Sequence, residues 1–223
     1  MTSKVANDGS APRLWLPVPF LLLFLVLTSL IEFTLIAADY SLIFDSRLRP
    51  FAYQYGAFWA GLLDNWRPNY AAQPYLMFVT YSFLHAGFWH LSGNMIGLIV
   101  LIQLNAPWMK MRGLFVVYIA STIGGALGFA LLGSALNPMV GASGALFGLA
   151  GSWKWQDWKN SPVGRRRNFV LVRDIFLLIL LNLLMWYMQD GALAWEAHFG
   201  GFVAGLSTMA LIDEIRKRRR VRC

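Results

Sequence analysis

Cysteine occurs once in the 223 residues, as the last of them, Cys223. A single thiol excludes an intrachain disulfide, a cysteine-based metal site and a redox pair. Charge is scarce too: Asp, Glu, Lys and Arg together make up 13% of the chain, about half of what a soluble domain carries. Outside the apolar runs no segment is long enough to bury a soluble core. Histidine occurs only three times. What is abundant instead is apolar, with 57% hydrophobic and 15% aromatic residues and a mean hydropathy of +0.52. The formal charge of +8 does not point to nucleic acid, because the basic residues sit at the ends of apolar runs rather than on an aromatic-interleaved face. These features describe an all-α membrane protein built as one compact domain.

Six apolar spans are expected, at about 14–38, 89–104, 113–132, 140–151, 169–188 and 192–212. The first is too long for the apolar part of a cleaved signal peptide, although Lys4 and Arg13 before it resemble one. This divides the chain into an N-terminal tail (1–13), a six-span domain (14–212) and a basic tail (213–223). The long connection at about 39–87 holds Phe51, Tyr53, Tyr55, Phe58, Trp59, Trp66 and Tyr70. So many aromatics suit the lipid headgroup zone, so a structured and partly inserted outer loop is expected.

The charges agree with an even number of spans. Lys4, Arg13, Lys110, Arg112, Lys154, Lys159, Arg165 to Arg167 and the basic residues from Arg216 to Arg222 fall on one side. Only Arg47, Arg49 and Arg67 fall on the other, and Arg173 lies inside a span. The positive-inside rule then places both termini in the cytoplasm.

With that orientation the second, fourth and sixth spans run from the outside inward. His90 and Asn94 open the second, Ser143 opens the fourth and His198 opens the sixth, so four polar groups share one depth. Polar groups inside a membrane are costly and are functional by default. A neutral imidazole beside Ser143 would take its proton during attack on a carbonyl. His90 and Asn94, spaced i, i+4, present an imidazole N–H and an amide on one helical face. With the backbone N–H of Ser143 they would form an oxyanion hole, each donor worth about 3 kcal/mol of barrier. Gly141, Gly144 and Gly148 around Ser143, and Gly200, Gly201 and Gly205 after His198, would let the two helices approach closely. No acidic third member is evident: Glu196 and Asp190 are the nearest acids in sequence, but a residue two positions away on a helix points elsewhere, so Phe147, one turn after Ser143, is the candidate to pack on the imidazole. The fourth span is short, and "LGSALNP" (132–138) before it is expected to be a non-helical dip that admits water.

Each residue also has a plainer reading. Ser143 alone is more often a small packing residue, and Asn94 alone is interhelical glue. Trp66 and Arg67 suit an interface anchor and a phosphate-facing cation. Glu32, and Arg173 with Asp174, suit buried pairs or snorkelling ends. A transporter would show internal repeats, and none is found.

Taken together, "GASG" with Ser143, "HLSGN" with His90 and Asn94, "AHFGGFVAG" with His198, and the Trp66-Arg67 pair resemble the rhomboid family of intramembrane serine proteases. The resemblance covers nearly the whole chain. It implies a six-helix core, a Ser143–His198 dyad, an oxyanion site at His90 and Asn94, and cleavage of single-span membrane proteins near their outer ends. His85 matches a histidine often found just before the second helix in the family, which implies a place for it lining the water cavity. The acidic residue that some members carry deep in the second span has no equivalent. The chain looks like the basic form found in bacterial cytoplasmic (inner) membranes, without a transit peptide, a seventh span or a soluble appendage. No metal, no cofactor and no nucleic acid are expected; the partners are the lipid bilayer and single-span substrates. The competing reading is an inert relative that binds membrane helices for quality control.

Overall fold

The computed structural model describes residues 19–43, 45–188 and 192–222. Lys4, Arg13, Asp190 and Cys223 lie outside them. Among the described residues the chain forms eight α-helices: α1 (Pro19–Asp39), α2 (Leu48–Gly56), α3 (Gln73–Thr80), α4 (Phe88–Asn105), α5 (Met111–Leu132), α6 (Ser143–Asn160), α7 (Arg165–Met188) and α8 (Trp195–Arg222). Short 3-10 turns occupy Ala60–Leu63 and Tyr81–Phe83. No strand forms among these residues; a single antiparallel bridge joins Phe58 to Met139. Helices suit a lipid setting because they satisfy every backbone polar group within one segment.

Among the described residues three helices are long and apolar enough to cross a membrane, over Leu21–Asp39, Met111–Leu132 and Arg167–Tyr187. A fourth candidate is a bent pair, Gln73–Phe83 followed by Phe88–Asn105, with 85° between its halves. The bend falls at Gly87, whose φ of +99° lies in the left-handed region that a side chain disfavours. Gly87 N–H donates to Glu32 Oε1 at 2.7 Å, which fixes the point where α4 begins.

Two elements differ from the sequence expectation. The fourth apolar run does not end near residue 151: α6 continues to Asn160 through "SWKWQDWKN". Lys154, counted above among the loop charges, is therefore helical and 4% exposed. Its ammonium pairs with Asp174 on α7 at 2.5 Å, so the charge is neutralised where it is buried. Likewise α8 runs without a break into the basic tail, because no glycine or proline follows Gly205 to stop it.

Glycine decides how the centre packs. Side chains at Gly201 and Gly205 on α8 would overlap the carbonyl oxygens of Gly144 and Gly148 on α6. One at Gly200 would overlap Gly124 O on α5. Three backbones thus meet directly, with dispersion contacts replacing the hydrophobic driving force that lipid removes. Around this seam Phe24, Leu98, Val117, Leu146 and Met209 form the main apolar core. Asn105 ties α4 to α6, donating to Leu149 O at 2.9 Å and accepting from Ser152 Oγ at 2.9 Å. By contrast α7 lays an apolar surface outward, with no residue of its spanning window buried.

The connection between α1 and α4 is held by polar contacts. Buried Glu32 on α1 pairs with Arg49 on α2 at 2.9 Å, and Arg49 also donates to His85 O at 2.8 Å. Trp66 fits against Gly61, and Trp59, Trp66 and Arg67 line a cavity of about 220 Å³ with Gln54, Asn69 and Gln73.

Candidate active site

Ser143 is the first residue of α6. Helix starts leave backbone N–H groups without intrahelical acceptors, so the Ser143 N–H is free to meet a ligand oxygen. The chain reaches this point through a non-helical stretch after α5, where residues 134–137 are exposed. It turns inward at Met139, which exchanges backbone hydrogen bonds with Phe58 at 2.9 and 3.0 Å. Gly141 N–H then donates to Tyr81 O at 3.0 Å. Gly141 has φ +113°, and a Cβ there would lie 2.8 Å from His90 Nε2 and 3.9 Å from Ser143 Oγ. The missing side chain leaves the imidazole and the hydroxyl facing one another across bare backbone.

His198 lies in the first turn of α8 and is 1% exposed. Its Nε2 is 2.8 Å from Ser143 Oγ. The glycine seam explains this approach: with Gly144 against Gly201 and Gly148 against Gly205, one turn further out the two functional side chains meet. Phe147 stacks on the imidazole, with 4.2 Å between centroids and 7° between planes. The other ring nitrogen, Nδ1, is 2.8 Å from Asn182 Oδ1 on α7.

His90 opens α4, and its Nδ1 accepts the Ala86 N–H at 3.2 Å. That bond leaves Nε2 as the protonated nitrogen, the one on the Gly141 side. Asn94, 4% exposed, donates one amide hydrogen to His90 O at 2.8 Å, while its Oδ1 has no hydrogen-bond partner. His85 is fully buried and meets the His90 ring edge-on, 5.2 Å between centroids.

Ser143, His198, His90, Asn94, Phe147 and Gly141 therefore lie in one neighbourhood, whereas Gly144, Gly148, Gly200, Gly201 and Gly205 form the seam beneath it. Trp66, Arg67, Arg173 and Asp174 are elsewhere. Among the described residues no group of three His, Cys, Asp or Glu could hold a metal ion.

Sequence reasoning missed Asn182, whose signal is a lone amide in the apolar run from Ile175 to Trp186. It also missed Gly124, Gly125 and Gly128 of α5, which line the far side of the seam. Asn182 and His198 border an apolar cavity of about 560 Å³ between α7 and α8, with Ile179, Leu183, Trp186 and Trp195 among its walls.

This arrangement can carry out acyl transfer. A hydroxyl hydrogen-bonded to a neutral imidazole becomes nucleophilic as the ring takes its proton. His90 Nε2 lies on the Gly141 side, beside the start of α6 that carries Ser143.

The chain is also similar in sequence to known proteins. The sequence pattern of the Rhomboid domain matches residues 72–214, more than half of the chain. The chain is similar to RHOMBOID-like protein 5 of Arabidopsis thaliana, 37% identical over 124 residues, which is 55% of this chain and 39% of that protein. It is also similar to RHOMBOID-like protein 1 of the same plant, 35% identical over 127 residues, 56% of this chain and 31% of that protein. The match thus spans less than half the length of either relative.

Proposed function

The chain belongs to the rhomboid family, and from that premise we propose that it is an intramembrane serine endopeptidase in which Ser143 and His198 form the catalytic dyad. The observation that carries the reading is the 2.8 Å contact between His198 Nε2 and Ser143 Oγ at the joined ends of α6 and α8.

In this reading Ser143 Oγ attacks a peptide carbonyl while His198 Nε2 accepts its proton, giving a tetrahedral intermediate. The oxyanion meets the Ser143 N–H, the His90 Nε2–H and the second amide hydrogen of Asn94. Collapse of the intermediate breaks the C–N bond, and His198 returns the proton to the leaving amine. Water then hydrolyses the acyl enzyme with His198 as base again.

The integral membrane setting supports membrane-embedded helices as the substrate class. We infer that α4, α6 and α8 cross the membrane together with α1, α5 and α7, giving six spans with cytoplasmic termini. α6 and α8 are less apolar than a lone span because their glycine and polar side chains meet protein, whereas α4 reaches the apolar length of a span together with the bent segment before it. Ser143 then lies toward the outer leaflet, where it meets the outer end of a single-span helix. A helical peptide shields its carbonyls, so substrates carry glycine or proline near the cut.

The test is cleavage of a single-span substrate with a glycine-weakened helix by detergent-purified protein. Wild type should cut it, and Ser143→Ala and His198→Ala should not. If wild type and Ser143→Ala behave alike, the protein is an inert helix binder instead.

A further inference from the structure

We propose that Asn182 is a positioning residue for the dyad, holding the His198 imidazole from α7 in the tautomer and orientation that leave Nε2 free to accept the Ser143 proton. The inference rests on the protease reading above and adds a residue to it.

The starting point is a polar group where lipid chemistry disfavours one. Between Asp174 and Tyr187, α7 reads "IFLLILLNLLMWY" from Ile175 to Tyr187, and Asn182 is its only amide. An amide in such a run is costly unless it is used. Here it has a specific use: Oδ1 lies 2.8 Å from His198 Nδ1. A carbonyl-type oxygen can only accept, so the proton sits on Nδ1. Nε2 is then the lone-pair nitrogen, and it is the one 2.8 Å from Ser143 Oγ. The opposite tautomer would point a hydrogen at the hydroxyl and could not act as a base.

Phe147 and Asn182 restrain the ring in complementary ways. The stacked phenyl of Phe147 on α6 fixes the plane of the imidazole. It does not choose which nitrogen points where within that plane. Asn182 supplies that choice from the edge, and being neutral it leaves the imidazole neutral. Neither hydrogen bond of the ring goes to a carboxylate. The titratable groups around it are His90 from α4, neutral because its Nδ1 accepts the Ala86 N–H, Tyr81 from the 3-10 turn, occupied in donating to Thr122 O, and Glu196 two residues back on α8.

The placement has a consequence for α7. That helix buries no residue of its spanning window, so the dyad is fully oriented only while α7 is docked beside α8.

The experiment uses full-length protein in detergent with two variants. One is Asn182→Leu, which removes the acceptor. The other is Asn182→Asp, which keeps the shape and adds charge. Each is assayed for cleavage of the glycine-weakened substrate and for labelling of Ser143 by an alkyl fluorophosphonate, across pH. The expected result for Asn182→Leu is a kcat about 10- to 100-fold lower with KM unchanged. For Asn182→Asp, the acid limb of kcat/KM and of labelling should move up by about one pH unit or more, since a carboxylate at Nδ1 favours the imidazolium. An amide that merely joined two helices would leave kcat of the folded Asn182→Leu protein at the wild-type value.

Wild-type kcat in both variants together with an unmoved acid limb overturns the proposal while leaving the protease reading intact. A wild-type protein that neither labels nor cuts overturns both. If Asn182→Leu fails to fold, the isosteric Asn182→Asp decides alone.

Discussion

Phe147 and His198 lie face to face, 4.2 Å between ring centroids and 7° from parallel, although 51 positions of sequence and two different helices separate them. The contact gives the imidazole a fixed plane inside a site that is otherwise built from glycine. Replacing Phe147 by alanine should lower kcat about threefold to tenfold, the range of an aromatic pair. Tyrosine at the same position should restore most of it. Steady-state cleavage by both variants checks this, and equal rates for alanine and wild type would remove any role for the stacking.

The seam between α6 and α8 tolerates no side chain at Gly201, where a Cβ would overlap Gly144 O. Gly201→Ala should therefore cost about 1 to 3 kcal/mol, with valine costing more, and activity should fall with stability. Gly93 on α4 provides the control, because a Cβ there meets nothing within 4 Å. Thermal unfolding in detergent should separate the two, with Gly93→Ala no less stable than wild type.

Glu32 is fully buried and balanced by Arg49 at 2.9 Å. Arg49→Ala leaves that carboxylate without its partner and should cost about 3 kcal/mol, as breaking buried pairs does. Glu32→Gln in the same background should recover part of the loss, because the amide carries no charge to strand. Unfolding curves of the two proteins test the order; a single variant as stable as wild type would show that the pair does not hold the start of α4.

At the opposite end, Asp213 on α8 accepts hydrogen bonds from Trp155 at 3.1 Å and from Gln156 and Lys159 at 2.8 Å, all on α6. Burial alone would raise the carboxyl, but these donors outweigh it and hold it below the usual aspartate value. A carboxylate depressed in the folded state stabilises above its unfolded pKa and loses that contribution as pH falls through the folded one. Wild type should thus lose stability on acidification below about pH 4. Asp213→Asn should be less stable at neutral pH and lose less on acidification. Melting temperatures at about pH 7 and about pH 3 make the comparison, and identical acid losses would dismiss the contribution.

Much of this was legible from residues alone. The helices α4, α5 and α7 follow the apolar runs to within a few residues at both ends, and α1 ends within one residue of its run, because apolar length is what a lipid core selects. The ends of α6 and α8 were not legible. Both continue past their apolar stretch as polar helices, and hydropathy carries no signal for a helix once it leaves the apolar zone. The helices hidden in the aromatic connection, α2 and α3, were likewise missed, since their aromatic residues announce an interface but not a backbone conformation.

The sequence by itself determined that this chain lives in lipid and belongs with rhomboids, because hydropathy, charge bias and short runs around Ser143, His90 and His198 are local properties. It also carried the glycines that permit close approach. Which glycine meets which, and that Gly141 opens the way from His90 to Ser143, depended on how the helices cross. So did the use of Asn182: an amide in an apolar run announces that it has a partner, but a hydrogen bond spans only about 3 Å. Only the tertiary placement of α7 across the cavity from α8 could bring His198 within that distance.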